Sequence, residues 1–98
     1  MEVEFREKTC DRLETDAKYT AGFAANIVSA YRRRLQQIRA AVDERDLFAS
    51  GGMYFKRLQG PRSHQYSIRL NDQWRLIVEL AGKGTEKVVH VVCIEDYH

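Results

Sequence analysis

Apolar residues recur at two different spacings along this chain, and the change of spacing divides it. From about Ala24 to Val42, the residues Ile27, Tyr31, Leu35, Ile38 and Val42 follow at steps of four, four, three and four. That spacing lays one apolar stripe along a helix. Beyond Ser50-Gly51-Gly52 the period falls to two. In QYSIRL, Tyr66, Ile68 and Leu70 alternate with Ser67 and Arg69. In WRLIVEL, Trp74, Leu76, Val78 and Leu80 alternate with Arg75, Ile77 and Glu79. Each segment reads as a strand with one buried face. MYFKRL is another candidate strand, and the nearly all-apolar KVVHVVCI fits a strand covered on both sides. Gly60-Pro61 and Gly82-Lys83-Gly84 mark turns. Ahead of the long helix, VEF reads as a short strand with Val3 and Phe5 on one face, and residues 8–18 as a short polar helix. Thr20 is a candidate helix cap, weakened by the Gly22 that follows. The order β-α-α-β-β-β-β predicts one α+β domain over residues 1–98, two N-terminal helices packed on a mostly antiparallel sheet.

The register of one hairpin follows from burial. For the apolar faces of 66–70 and 74–80 to coincide, Leu70 must oppose Trp74, Ile68 oppose Leu76 and Tyr66 oppose Val78. A two-residue turn would slip the pairing by one and bury Arg69. The loop is therefore expected to hold Asn71, Asp72 and Gln73. The same register sets Arg69 across from Arg75 on the other face. Like charges so placed repel, and Glu79 or an external anion would relieve them.

Charge sharpens that picture. The net charge is only +2, but residues 53–77 carry Lys56, Arg57, Arg62, Arg69 and Arg75 against Asp72 alone. A local basic field of this kind suits a polyanion or an acidic protein partner. Arg32, Arg33 and Arg34 fall beside or behind the helical stripe, as a solvated face or as a contact for RNA or a partner. An apolar fraction of 44% supports a modest core and argues against disorder. No apolar run is long enough for a membrane span, and the N-terminus, charged from its second residue, is unlike a signal peptide. Cys10 and Cys93 are distant in sequence and have no metal-ligand spacing. They read as reduced thiols in a cytoplasmic protein, with a single bridge as the alternative.

The apolar VVHVVCI leads into Glu95, Asp96, Tyr97 and His98. On an extended strand, Asp96 and His98 point to one side and Tyr97 to the other. A carboxylate can orient an imidazole, the imidazole can move a proton near neutral pH, and a phenol can hold a hydrogen bond. With Arg75 added, the residue types suit phosphodiester cleavage, and a polar tail is the plainer reading of the same residues. Elsewhere, His64 reads as exposed, His90 as a core histidine, Cys93 as core, and Trp74 and Tyr66 as core packing.

Taken in order, LQGPRSHQYSIRLNDQWRLIVEL and the closing EDYH resemble the HigB-type toxins of bacterial toxin–antitoxin systems, within the wider RelE superfamily. The matching positions are Leu58, Gly60 and Arg62, then Tyr66, Ser67 and Ile68, then Trp74, Arg75 and Leu76, then Asp96, Tyr97 and His98. The likeness extends over essentially the whole chain, including KYTAGFAANIVSAYRRRLQQIRAA. It implies a RelE-like fold and ribosome-dependent cleavage of mRNA by 2′-hydroxyl attack, with no metal or other cofactor. Asp96, Tyr97, His98 and Arg75 are the implied catalytic residues, and Lys56, Arg57, Arg62 and Arg69 the candidates for holding RNA. The implied partners are ribosome-bound mRNA, a HigA-like helix-turn-helix antitoxin, and operator DNA through the complex. Three positions depart from the family pattern: Lys56 where some relatives have histidine, Gln59 where lysine is common, and Pro61 where aspartate is common. A ParE-like toxin without enzymatic activity, or a decayed toxin that only binds its antitoxin and regulates the operon, is the alternative.

Overall fold

A computed structural model describes residues 1–83 and 86–97. The chain runs β1 (Glu2–Phe5), α1 (Lys8–Thr15), α2 (Ala25–Ala40), α3 (Glu44–Ala49), β2 (Lys56–Arg57), β3 (Gln65–Arg69), β4 (Trp74–Ala81) and β5 (Val88–Asp96). Short 3-10 turns cover Gly51–Met53 and Gly60–Arg62. The strands form one sheet in the order β1-β5-β4-β3-β2. β1 runs parallel to β5, with Glu2 beside Val88 and Phe5 beside Val91, and the other three pairs are antiparallel. The expected α+β class and mostly antiparallel sheet hold.

The helices cover one face. Ile27, Tyr31, Leu35 and Ile38 of the α2 stripe are buried together with Leu13, Leu47, Ile68, Leu76, Val78, Val89 and Val91. Each such aliphatic side chain contributes roughly 1.5–3 kcal/mol through burial. The Tyr31 hydroxyl donates to the Cys10 carbonyl at 2.7 Å, joining α2 to α1. Val42, the last member of the predicted stripe, is 65% exposed, because α2 stops at Ala40 and Ala41 turns into extended backbone. The segment after it forms α3, which apolar spacing does not announce. Side chains define its start instead: Asp43 accepts from the Arg45 amide at 2.9 Å and Asp46 from the Val42 amide at 2.8 Å. The expected strand MYFKRL shrinks to Lys56–Arg57. Met53 is buried in a 3-10 turn, and Tyr54 sits in the left-handed region at φ 47°, ψ 50°. For a residue other than glycine that conformation costs of order 1 kcal/mol.

The β3–β4 hairpin has the expected register, with Tyr66 opposite Val78, Ile68 opposite Leu76 and Arg69 opposite Arg75. The Leu70 amide closes it on the Trp74 carbonyl at 3.0 Å. Trp74 packs edge-on against Phe23 at 5.4 Å, and Tyr66 stacks on Phe55 at 4.7 Å, both in packing roles.

The β4–β5 ladder carries a bulge. Ile77 pairs with Cys93, but the next residue, Val78, pairs with Val91, leaving Val92 as the extra residue. A bulge shifts the side-chain alternation by one. Val89 and Val91 point into the core ahead of it, and Ile94 packs against the core beyond it. Cys93 is therefore not in the core, as its alternation with Val89 and Val91 suggested, but half-buried on the other face; it and the buried Cys10 are both free of a disulfide. Helices lie on only one face, so KVVHVVCI is not covered on both sides. His90, paired with Glu79 on the open face, is partly exposed, with Nδ1 3.5 Å from the Glu4 carboxylate rather than in the core. His64 is exposed as expected. Gly82 takes φ +88° at the expected turn, while Gly84 lies outside the described residues.

Candidate active site on the open face of the sheet

Strand alternation and the bulge decide what the uncovered face displays. One row across the strands runs Lys56, Ser67, Ile77, Cys93, and the next runs Arg69, Arg75, Glu95. The shifted alternation places Tyr97 on this face as well; in a regular strand, with Val92 paired rather than bulged, it would fall on the helix side. The Tyr97 amide is tied to the Gln73 carbonyl at 2.6 Å. Tyr54, Lys56, Ser67, Arg69, Arg75 and Tyr97 line a cavity of about 340 Å³.

Three of the six lining residues are cations and none is a carboxylate. Arg75 donates to the carbonyls of Asn71 and of Trp74 (3.1 Å for the latter), and its guanidinium lies 4.2 Å from the centre of the Tyr97 ring. The loop that receives it is itself braced, since Asn71 Oδ1 accepts from the amides of Gln73 at 2.8 Å and Trp74 at 2.7 Å. Arg69 pairs with Asp72, whose side chain is 94% exposed, and lies 5.6 Å from the Tyr54 ring centre. An ion pair this exposed is worth at most about 1 kcal/mol, so an incoming phosphate can displace it. The repulsion between Arg69 and Arg75 is relieved by Asp72 and the loop carbonyls, not by Glu79. Glu79 is engaged elsewhere: the Gln65 amide and the Arg6 guanidinium hold its carboxyl below the usual range.

Arg34 supports the cavity from behind. It is 8% exposed, and it donates to the Arg69 carbonyl at 2.9 Å, the Gly52 carbonyl at 2.5 Å and Gln37 Oε1 at 2.8 Å. One side chain of α2 thus fixes both segments that carry Arg69 and Tyr54. Burial, followed by the nearby Arg33 and Arg69 charges, lowers its pKa.

Of the residues singled out in the sequence, Lys56, Arg69, Arg75 and Tyr97 come together. Asp96 opposes Trp74 and accepts from Gln73 Nε2 at 2.9 Å, away from the cavity lining. Arg57 alternates to the other side of β2, with its guanidinium 5.8 Å from the Tyr66 ring centre and Nε on the Ser63 carbonyl at 2.6 Å. Arg62 grips Glu95 through two bonds of 2.9 Å, which raise its pKa. His98 lies outside the described residues. Sequence reasoning missed Tyr54 and Ser67. The alternation that placed Arg69 on this face also placed Ser67 there, whereas nothing in the sequence marks Tyr54 as left-handed. Among the described residues, no group of three or more His, Cys, Asp or Glu side chains is placed to hold a metal ion. No helix among them is long and apolar enough to cross a membrane.

Residues 3–98 match the model of the HigB-like toxin family, described as the RelE-like toxin of type II toxin–antitoxin system HigB. The chain belongs to the HigB-like toxins. A curated relative, Toxin HigB-1 of Vibrio cholerae serotype O1, is 34% identical over 79 residues, which cover 81% of this chain and 83% of the relative. In fold, this HigB-like toxin is similar to the YoeB/ParE toxin from Agrobacterium tumefaciens, with a TM-score of 0.66 at 15% identity over 100% of both chains. It is also similar to a chain of the YoeB-YefM complex from Staphylococcus aureus, with a TM-score of 0.62 at 14% identity, over 100% of this chain and 97% of that one. Every residue lining the cavity of the toxin falls within the matched span.

Proposed function

We propose that this toxin is a ribosome-dependent mRNA endoribonuclease that works without a metal. In the reaction, a ribose 2′-oxygen bonds to the adjacent phosphorus and the bond to the 5′-oxygen of the next nucleotide breaks. The products are a cyclic phosphate and a free 5′-hydroxyl. The observation that carries the reading is a cavity with Lys56, Arg69 and Arg75 on its walls and no lining carboxylate. Such a site stabilises the charge that develops on a pentavalent phosphorane. Arg75, held at a fixed angle by loop carbonyls and the Tyr97 ring, is the transition-state ligand in this scheme. Lys56 and Arg69 hold the flanking phosphate oxygens, and Tyr97 supports the scissile phosphate. Family resemblance assigns proton transfer to His98 and its orientation to Asp96. The ribosome supplies substrate alignment, which alone can be worth several kcal/mol.

The solved relative in the YoeB-YefM complex and the family's toxin–antitoxin character support a neutralising partner for this chain. A HigA-like helix-turn-helix antitoxin that covers the basic face, represses the operon with the toxin and acts in the cytoplasm completes the proposal. The test is cleavage of mRNA on programmed ribosomes, with thermal unfolding measured alongside. Arg75→Ala is expected to lower the cleavage rate at least a hundredfold, on the order of the loss when one oxyanion-stabilising group is removed. Undiminished cleavage by that variant would remove Arg75 as the transition-state ligand, and no cleavage by the wild-type toxin would remove the nuclease reading in favour of a binding module.

A further inference from the structure

Tyr54 adopts a backbone conformation that favours glycine, and two glycines precede it without taking it. Its φ is 47°, whereas Gly51 and Gly52 are not among the positive-φ residues. Gly52 serves a different need, since a Cβ there would come within 3.2 Å of Arg34 Nη1. The strain therefore falls on a bulky side chain. Packing does not account for that side chain: Tyr54 is 55% exposed between buried Met53 and Phe55, and it makes no side-chain hydrogen bond or ring–ring contact among the described residues. Its ring contact is with the Arg69 guanidinium, 5.6 Å from the ring centre, and it forms a wall of the cationic cavity. Strain held at a site rim on an exposed aromatic ring points to a ligand with a flat face.

We propose that Tyr54 is a stacking platform for one base of the bound RNA, so that the cavity takes a nucleotide rather than a bare phosphate. The inference rests on the nuclease reading for its substrate class and adds a residue to it. Arg69 links the two parts: it lies over the Tyr54 ring and stands across from Arg75, so a base on that ring places its phosphate between the two guanidiniums. Stacking of this kind tolerates any base, because every base presents a π-face.

The experiment titrates the isolated full chain with a short single-stranded RNA made uncleavable by 2′-O-methylation, and with the same oligonucleotide lacking one base. Tyr54→Phe is expected to bind within about twofold of wild type, and Tyr54→Leu and Tyr54→Gly about tenfold more weakly, the scale of one stacked base. The abasic oligonucleotide is expected to bind wild type about as weakly as the intact one binds Tyr54→Leu. Tyr54→Gly is expected to melt no lower than wild type, because glycine relieves the left-handed strain. A clearly lower melting temperature would make the ring a packing element and overturn the proposal. So would unchanged RNA affinity in Tyr54→Leu, including the case in which that variant loses affinity for the antitoxin instead, and so would failure of the wild-type chain to bind the RNA. The two readings fail separately. Arg75-dependent cleavage with Tyr54-independent binding removes only the stacking. Tyr54-dependent binding by a toxin that never cuts RNA removes only the nuclease.

Discussion

Removing the Arg34 side chain tests how the cavity is supported. Arg34→Ala deletes three charge-assisted hydrogen bonds, two of them to the backbone carbonyls of Arg69 and Gly52. Bonds to charged groups contribute about 1.5–3 kcal/mol each, so the two backbone bonds set an upper value near 6 kcal/mol. Three corrections lower it. Gln37 is only half-buried and recovers water, the vacated space lies near the surface and can admit water to the carbonyls, and the unpaired burial of a cation is relieved. A net loss of about 3 kcal/mol remains, corresponding to roughly 12–24 °C in melting temperature for a domain of this size. Urea denaturation at neutral pH, with an unchanged m-value, measures it. Arg34→Lys is expected to recover less than half, since one ammonium cannot span carbonyls on two segments. Gly52→Ala is expected to cost about 1 kcal/mol in the wild-type background, by crowding Arg34, and close to nothing in Arg34→Ala. A loss below about 1 kcal/mol in Arg34→Ala, or full additivity with Gly52→Ala, would refute the coupling.

The Cys10 thiol is pushed up to about 11 from 9.0, chiefly by burial, so the folded chain keeps a proton that the unfolded chain loses on passing pH 9. Stability is therefore expected to be full below pH 9 and to fall by about 2–3 kcal/mol between pH 9 and 11. Cys10→Ala should flatten the part of that slope below pH 10 in denaturation curves, while Tyr31, raised by the same burial, continues to contribute above it. Deleting Val92 removes the extra residue and leaves Val91 opposite Val78 and Cys93 opposite Ile77, so Glu95 and Tyr97 are expected to stay on the open face and cleavage to persist; a folded deletion variant that no longer cuts mRNA would count against the register as the reason Tyr97 faces the cavity. Arg62→Ala breaks an exposed pair with Glu95 and should cost less than about 1 kcal/mol in denaturation, with a smaller loss of cleavage than Arg75→Ala.

The parts of the fold that repeat a period were legible in the sequence. The α2 stripe and the β3–β4 register came from burial alone, because a helix face and a strand face each admit one solution there. The same register anticipated the meeting of Arg69 and Arg75. What escaped were departures from a period. The bulge at Val92 leaves no mark in an apolar run, yet it moves Cys93 out of the core and Tyr97 onto the open face. Tyr54 looked like one more strand residue, because a left-handed torsion has no signature in a tyrosine. α3 rests on Asp43 and Asp46 side-chain caps rather than on a stripe. The role of Arg34 was hidden among three consecutive arginines, and only the tertiary path of Gly52 and Arg69 sets it apart from Arg33.

Strand β5 is the latest of the five in sequence, yet it lies inside the sheet between β1 and β4. Synthesis delivers β1 first and leaves it without a neighbour until residues 88–91 have left the ribosomal tunnel. A growing chain can form its helices and the β3–β4 hairpin, whose contacts are local. It cannot hold Tyr97 against Arg75 until β5 has docked along β4. Closing the β1–β5 pair spans nearly the whole chain, the kind of contact that forms slowly. The cavity is therefore completed in one late event, the docking of β5, after the helices and the β3–β4 hairpin have formed.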